Sequence, residues 1–98
     1  MRNIKIKKLP LDKKECETVQ AWFMFVEPKQ RTVIDNKFLS KLGRALTNFN
    51  KKEYDSFLIS VIEAQIVGRW YLMIPLKIRD NLDNKIYRAL ERFIDRQG

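Results

Sequence analysis

Apolar residues recur at intervals of three and four positions through most of this sequence, and that period predicts amphipathic helices. The clearest case is the C-terminal stretch, whose apolar positions are Ile78, Leu82, Ile86, Ala89, Leu90 and Phe93. A second case lies near the middle of the chain, at Phe38, Leu39, Leu42, Ala45, Leu46 and Phe49. We expect a helix in each stretch. Thr32 or Asp35 is suited to cap the middle helix, and Pro75 suits the first turn of the last one.

The segment from Lys13 to Val26 is predicted to form the first helix. Asp12 followed three residues later by Glu15 has the spacing of a capping box, which marks the start of a helix. A strand over residues 18–26 is the alternative, because the Val, Trp and Phe residues of this segment also favour strands. Pro28 would end either element.

A third helix is predicted in the apolar segment that follows Asn50. Asn50 and Glu53 have the spacing of a further capping box. The helix ends either at Gly68, which leaves residues 69–74 as a strand, or at Pro75, which cannot continue a helix.

The pattern indicates a single domain over residues 1–98. Residues 1–9 alternate, with Ile4 and Ile6 on one side and polar side chains on the other, and Pro10 ends the pattern, so residues 1–11 are predicted to form a basic extended arm. The predicted fold is mainly α, a compact bundle of about four helices over residues 12–98 with the arm extended along it. The alternative is an α+β fold with three helices and a small sheet formed by residues 2–8, 18–26 and 69–74. No internal repeat is evident.

Composition narrows the chemistry that this chain can perform. The chain has no histidine, one cysteine and three glycines that lie far apart. Imidazole bases and ligands, structural zinc sites and glycine-rich phosphate loops are therefore excluded. We expect a protein that is not an enzyme and that binds no cofactor or metal ion.

The candidate catalytic carboxylates and the cysteine have structural explanations. Asp80 and Asp83 fall in the first turns of the last helix, where negative charge complements the helix dipole. Glu63 is expected to face solvent or to pair with an arginine. Cys16 is expected to pack in the core as a small apolar residue. A lone cysteine forms no intramolecular disulfide, so we expect a cytoplasmic protein. Charges interrupt the apolar stretch from Phe57 to Ile78, which predicts no membrane span.

The net charge of +8, from 20 basic and 12 acidic residues, is concentrated at the two ends of the chain. The basic residues of the N-terminal part are Arg2, Lys5, Lys7, Lys8, Lys13 and Lys14. In the last predicted helix, helical spacing gathers a basic stripe without interleaved acidic residues, formed by Lys85, Arg88, Arg92 and Arg96. Such surfaces suit contacts with phosphates, without base specificity.

The favoured function is a non-enzymatic accessory subunit of a nucleic-acid-handling complex, which contacts the phosphate backbone of DNA or RNA. The alternative is an adaptor or inhibitor that docks on an acidic partner, or a homodimer, through basic and aromatic surfaces. The residues predicted for such a protein interface are Phe25, Trp70, Tyr71 and Met73. Neither a membrane nor a small-molecule substrate is expected.

Overall fold

The computed structural model describes residues 7–97, and four helices with two short strands account for most of them. In chain order the elements are β1 (Leu9–Leu11), α1 (Lys13–Trp22), α2 (Val33–Asn50), β2 (Phe57–Ile59), α3 (Val61–Leu72) and α4 (Asn81–Asp95). Short 3₁₀ turns lie at Phe23–Phe25, Pro28–Gln30 and Leu76–Ile78. The expected mainly α fold is confirmed, with a two-stranded sheet in addition. None of the described helices is long and apolar enough to cross a membrane.

Each of the four helices begins at a capping box. The N-cap residues and their acidic partners are Asp12 with Glu15, Thr32 with Asp35, Ser60 with Glu63, and Asp80 with Asp83. In every box the N-cap side chain accepts a hydrogen bond from the backbone N–H of the acidic residue. The acidic side chain in turn accepts one from the backbone N–H of the N-cap residue. These bonds satisfy N–H groups that have no partner inside the helix, so they fix where each helix starts.

The predicted start of the third helix at Asn50 is wrong. α2 continues through Asn50, and α3 starts only after the cap at Ser60. Between them lies β2, whose three residues are alternately buried, exposed and buried. The alternative strands at residues 18–26 and 69–74 are wrong as well, because α1 and α3 occupy most of these segments. The third alternative strand lies almost entirely outside the described residues.

The chain contains two copies of one strand–helix–helix unit, which repeat after 48 positions, as from Leu9 to Phe57. We call residues 9–49 the first half of the molecule and residues 57–97 the second half. The two halves have the same residue at 10 of 41 aligned positions. These identical pairs are Glu15/Glu63, Val19/Val67, Trp22/Trp70, Lys29/Lys77, Arg31/Arg79, Asp35/Asp83, Asn36/Asn84, Lys37/Lys85, Leu42/Leu90 and Arg44/Arg92. The expectation that the chain has no internal repeat is therefore wrong.

An approximate two-fold axis relates the two halves. β1 and β2 pair antiparallel, and their middle residues, which are equivalent in the two halves, lie opposite each other. The indole N–H of Trp22 donates to the Asp83 carboxylate at 2.8 Å, and its equivalent, Trp70, donates to Asp35 at 3.0 Å. Each tryptophan is therefore hydrogen-bonded to the other half.

Aromatic rings from both halves meet in one shared core. Trp70 packs edge-to-face on Phe23 with ring centroids 5.0 Å apart, and Trp22 packs in the same way on Tyr71 at 5.3 Å. Much of the remaining core also comes in equivalent pairs, Leu11/Ile59, Cys16/Ala64, Val19/Val67, Val26/Ile74, Phe38/Ile86 and Leu42/Leu90. Separating the halves would expose these side chains to water, so the two units share one hydrophobic core.

Candidate nucleic-acid interface

α4 presents the predicted basic stripe to solvent. Its apolar face, which includes Ile86, Leu90 and Phe93, is buried in the core. The helical period turns the opposite side outward, and the four stripe residues are all exposed, Lys85, Arg88, Arg92 and Arg96. Neither of the two ion pairs found within residues 7–97 involves any of them. Their positive charge is therefore available to a ligand.

A cleft of about 590 Å³ lies between the start of β1 and the C-terminal half of α4. Four of the residues that line it are basic, Lys7, Lys8, Arg92 and Arg96. The others are Leu9, Pro10, Ala89, Phe93 and Gln97, so no acidic side chain lines the cleft. The fold thus brings basic residues from opposite ends of the chain together.

A second depression, of about 310 Å³, lies along the N-terminal half of α4. Its lining consists of Asn81, Asn84, Lys85, Arg88 and Arg92, so Arg92 belongs to both sites. We use the term basic face for Lys7, Lys8, Lys85, Arg88, Arg92 and Arg96. This face follows a helix of 15 residues, which is about 22 Å long. The other predicted arm residues, Arg2 and Lys5, lie outside the described part of the chain.

Lys13 and Lys14 are not part of the basic face, although they were predicted to bind nucleic acid with it. Both are exposed in the first turn of α1, and Lys14 lines a different cleft of about 390 Å³. That cleft also contains the carboxylates of Glu17, Asp80 and Asp83. Its mixed charge makes it a poorer partner for a polyanion.

The first half of the molecule lacks an equivalent of the basic face. At the positions equivalent to the stripe, α2 has Lys37, Ser40, Arg44 and Asn48. The residues equivalent to Lys7 and Lys8 are Asp55 and Ser56. The complete set of basic residues is therefore present on only one side of the approximate two-fold axis.

Asp35 is completely buried and strongly hydrogen-bonded. The backbone N–H and the hydroxyl of Thr32 and the indole of Trp70 donate to its carboxylate, and Arg69 forms an ion pair with it. Burial acts to raise the pKa of Asp35. The hydrogen bonds from Thr32 and Trp70, with the Arg69 charge, outweigh burial and hold the pKa below its usual value. Asp35 is thus an ionised structural group.

The carboxylates considered as catalytic candidates also have structural roles. Asp80 and Asp83 form the capping box of α4. The expectation that Pro75 lies in the first turn of this helix is wrong, because Leu76–Ile78 form a separate 3₁₀ turn and α4 starts only after the cap at Asp80. Glu63 pairs with Lys41 at 2.5 Å, and not with an arginine or with solvent as predicted. Burial acts to raise the pKa of Glu63, but the hydrogen bonds from Lys41 and Ser60 lower it. Within residues 7–97, no three Cys, Asp or Glu side chains lie close enough together to hold a metal ion.

Cys16 is a core residue, as predicted. Its side chain is completely buried. Burial, together with the negative charges of Asp12, Glu15 and Glu17, raises the pKa of this thiol to about 12. The thiol is therefore protonated at neutral pH, whereas reactive cysteines need an accessible thiolate.

Two of the four residues predicted for a protein interface are not on the surface. Trp70 and Tyr71 expose only 0% and 6% of their area, because both pack against aromatic rings of the first half. This corrects the expectation that they form exposed aromatic surface. Phe25 and Met73 are exposed, as expected for a contact site.

A group of aliphatic residues that was not predicted from the sequence lies at the surface between α2 and α3, where Ile34 and Ile62 are exposed and Ile66 is partly buried. Ile34, Ile62 and Ile66 line one surface depression of about 410 Å³, and we call these three residues the aliphatic patch. The sequence feature that could have predicted this patch is the presence of isoleucine residues outside the main apolar face of each helix. The residues equivalent to Ile34, Ile62 and Ile66 are Leu82, Lys14 and Thr18, so the patch also lies on one side of the two-fold axis only.

Comparisons of the chain with protein-family models, with curated proteins and with solved structures found no match in any of the three. A functional proposal therefore depends on the geometry of the two surfaces described above.

Proposed function

We propose that this protein is a non-enzymatic accessory subunit of a nucleic-acid-handling complex, and that the basic face binds the phosphate backbone. The observation that supports the proposal is that basic side chains from both ends of the chain line one surface without an acidic side chain. Cations arranged in this way displace the counterions condensed on nucleic acid, and the release of those ions drives binding.

The side chains of the basic face suit backbone contacts. Its arginines have planar guanidinium groups that bond two phosphate oxygens at once, and its lysines act as mobile point charges. β-ribbons in some DNA-binding proteins enter the major groove and read base edges through hydrogen-bonding side chains. In this protein β1 and β2 form a two-stranded ribbon, and the residues at its centre, Pro10 and Leu58, are exposed. Their side chains have no hydrogen-bonding groups. We therefore propose binding that is independent of sequence.

The two halves provide a matched test of the proposal. K85E/R92E reverses two charges on the basic face, and K37E/R44E reverses the equivalent exposed residues on α2. Both variants lose the same amount of charge, so long-range attraction weakens equally in both. We expect K85E/R92E to lower affinity for a 20-bp duplex about 100-fold at 100 mM salt, and K37E/R44E by less than about threefold.

Fluorescence anisotropy over a series of salt concentrations measures both effects. Six phosphate contacts predict a slope near −5 for log affinity against log salt, and K85E/R92E should make that slope shallower by about 2. Circular dichroism checks that each variant is folded. Equal losses in the two variants, or no binding by the native chain at about 50 mM salt, would contradict the proposal.

A protein adaptor is the second candidate function, and the aliphatic patch favours it. The exposed side chains of Ile34 and Ile62 on adjacent helices are typical of the apolar centre of a protein interface. I34S/I62S should then abolish recovery of a protein partner from native extract after nuclease treatment, while K85E/R92E leaves recovery unchanged. The opposite pattern would favour nucleic-acid binding.

A further inference from the structure

The aromatic residues of this protein are not available for stacking on bases at the basic face. Phe93 is the aromatic residue that lines the cleft beside β1, and only 8% of its surface is exposed. Tyr87, also on α4, is stacked on Tyr71 with ring centroids 4.1 Å apart. The exposed aromatic side chains of Phe25 and Tyr54 line neither depression of the basic face.

The lack of available aromatic side chains at the basic face indicates whether its ligand is single-stranded or double-stranded. Proteins that bind single strands combine a basic groove with aromatic side chains, on which the unpaired bases stack. A duplex keeps its bases stacked inside and presents phosphates outside, so cations alone are sufficient to bind it. Its charge density is also higher, at one phosphate per about 1.7 Å of axis.

The rigidity of the basic face also favours a duplex. Arg88 and Arg92 lie on successive turns of α4, and Arg96 is the C-cap residue that follows this helix, so the three are spaced at intervals of four residues, or about 6 Å each. The backbone beside Lys8 is held by the pairing of β1 with β2. A fixed row of cations matches the regular backbone of a duplex better than the changing path of a flexible strand.

We propose that the ligand of the basic face is a nucleic-acid duplex bound along its backbone, a substrate class that rests on the function proposed above. Stacked single-stranded bases and acidic protein surfaces are the alternatives. The affinity of the native chain is to be measured for a 20-bp DNA duplex, for each of its separated strands, and for a 20-residue polyglutamate at the same salt concentration.

We expect the duplex to bind at least tenfold more tightly than either strand at 100 mM salt. The salt slope should be near −5 for the duplex and near −4 for a strand. A strand that binds as tightly as the duplex would overturn the inference, although nucleic-acid binding would stand. If polyglutamate binds and neither nucleic acid does, both the inference and the proposed function are wrong.

Two aromatic variants give an independent measurement. F25A and Y54A remove the exposed rings that could stack on a base, and neither residue belongs to the basic face. We expect each variant to retain its affinity for duplex and strand within twofold. A loss of tenfold or more that affects only the single strand would show that stacking contributes, and would overturn the duplex inference.

Discussion

Trp22 and Asp35 in the first half of the molecule have identical equivalents in the second half, Trp70 and Asp83, and these residues join the halves by reciprocal hydrogen bonds. The exposed surfaces differ: the basic face combines α4 with Lys7 and Lys8, whereas the aliphatic patch lies between α2 and α3, and neither surface has a full equivalent in the other half. The buried residues shared by the halves thus serve the common scaffold.

In the basic face, Lys85 and Arg92 have basic equivalents in Lys37 and Arg44, whereas Arg88 and Arg96 are replaced by Ser40 and Asn48. The exposed positions at which the halves differ therefore distinguish the basic face from its equivalent in the first half.

A pair of arginines supports the same distinction. The Arg31 side chain donates to the backbone carbonyl of Val26 at 2.8 Å and lies 4.4 Å from the ring centroid of Phe23. Arg79 makes the equivalent bond at 2.9 Å and the equivalent ring contact at 4.4 Å. Each of these arginines stabilises the segment that connects the two helices of its half. The positive charge of Arg31 and Arg79 therefore has a structural role, whereas the arginines of the basic stripe have none within the described part of the chain.

The comparison of the two halves predicts the largest change in stability for substitutions of the two buried aspartates, Asp35 and Asp83. D35N should lower the free energy of unfolding by about 3 kcal/mol, because it removes the charge from a completely buried carboxylate that accepts several hydrogen bonds. D83N should cost about half as much. The Arg69 partner of Asp35 has Ala21 as its equivalent beside Asp83, so Asp83 has no such cation.

Urea denaturation of the two variants measures this difference. Circular dichroism and tryptophan fluorescence should give coincident transitions if unfolding is two-state. Equal costs for D35N and D83N would show that the halves are energetically equivalent and that Arg69 adds nothing. Because Arg69 is half exposed, R69A alone should cost no more than about 1 kcal/mol.

Acid pH should lower the stability of the protein by a smaller amount, because it protonates the buried carboxylate of Asp35. The pKa of Asp35 is lower in the folded protein than in the unfolded chain, so its contribution is fully present above about pH 4 to 5 and is lost as pH falls below that range. The difference in stability between the native chain and D35N should therefore shrink between pH 6 and pH 3, by at most about 1 kcal/mol, because the pKa of about 3.9 in the unfolded chain limits the loss at pH 3. Urea midpoints at four pH values test this. A constant difference would mean that Asp35 titrates in the folded protein as it does in the unfolded chain.

Structural features that depend on the residue pattern of a single helix were predictable from the sequence. α4 has an unbroken helical period, which gave both its buried face and the exposed stripe from Lys85 to Arg96. Cys16 was predicted correctly for the same reason. β2 was missed because Phe57–Ile59 is a short apolar segment beside a longer apolar helix, and a period cannot be recognised over three residues.

Features that depend on contacts between the halves could not be predicted in this way. The repeat is dispersed, since its identical residues are separated by many that differ, and the pairing of Trp22 with Asp83 becomes visible only in three dimensions. The cleft beside β1 is a further example. Lys7 and Lys8 were assigned to a basic arm and Arg92 to a stripe, but their proximity follows from the pairing of β1 with β2 of the other half.

The approximate two-fold axis allows the basic residues of the basic face to be introduced, as a copied face, at the equivalent positions of the first half. This change should alter the affinity for a duplex only slightly, but it should change the number of duplexes that one chain binds. The substitutions S40R, N48R, D55K and S56K in one chain give α2 and the segment before β2 the basic residues of their equivalents. The native chain should bind one short duplex, and the variant should bind two. The apparent affinity at low protein concentration should rise only about twofold, because two independent sites double the chance of binding.

Sedimentation velocity with a labelled 12-bp duplex measures the stoichiometry directly, and K85E/R92E added to the same variant is the control. That control loses the original site, so it should bind one duplex through the copied face. If the four substitutions leave the ratio at one while the protein stays folded, then basic residues at these helical positions are not sufficient to make a site. The cleft between the start of β1 and α4, which Lys7, Lys8 and Arg92 line, would then have to contribute a shape that Tyr54 packed on Phe49 blocks in the first half.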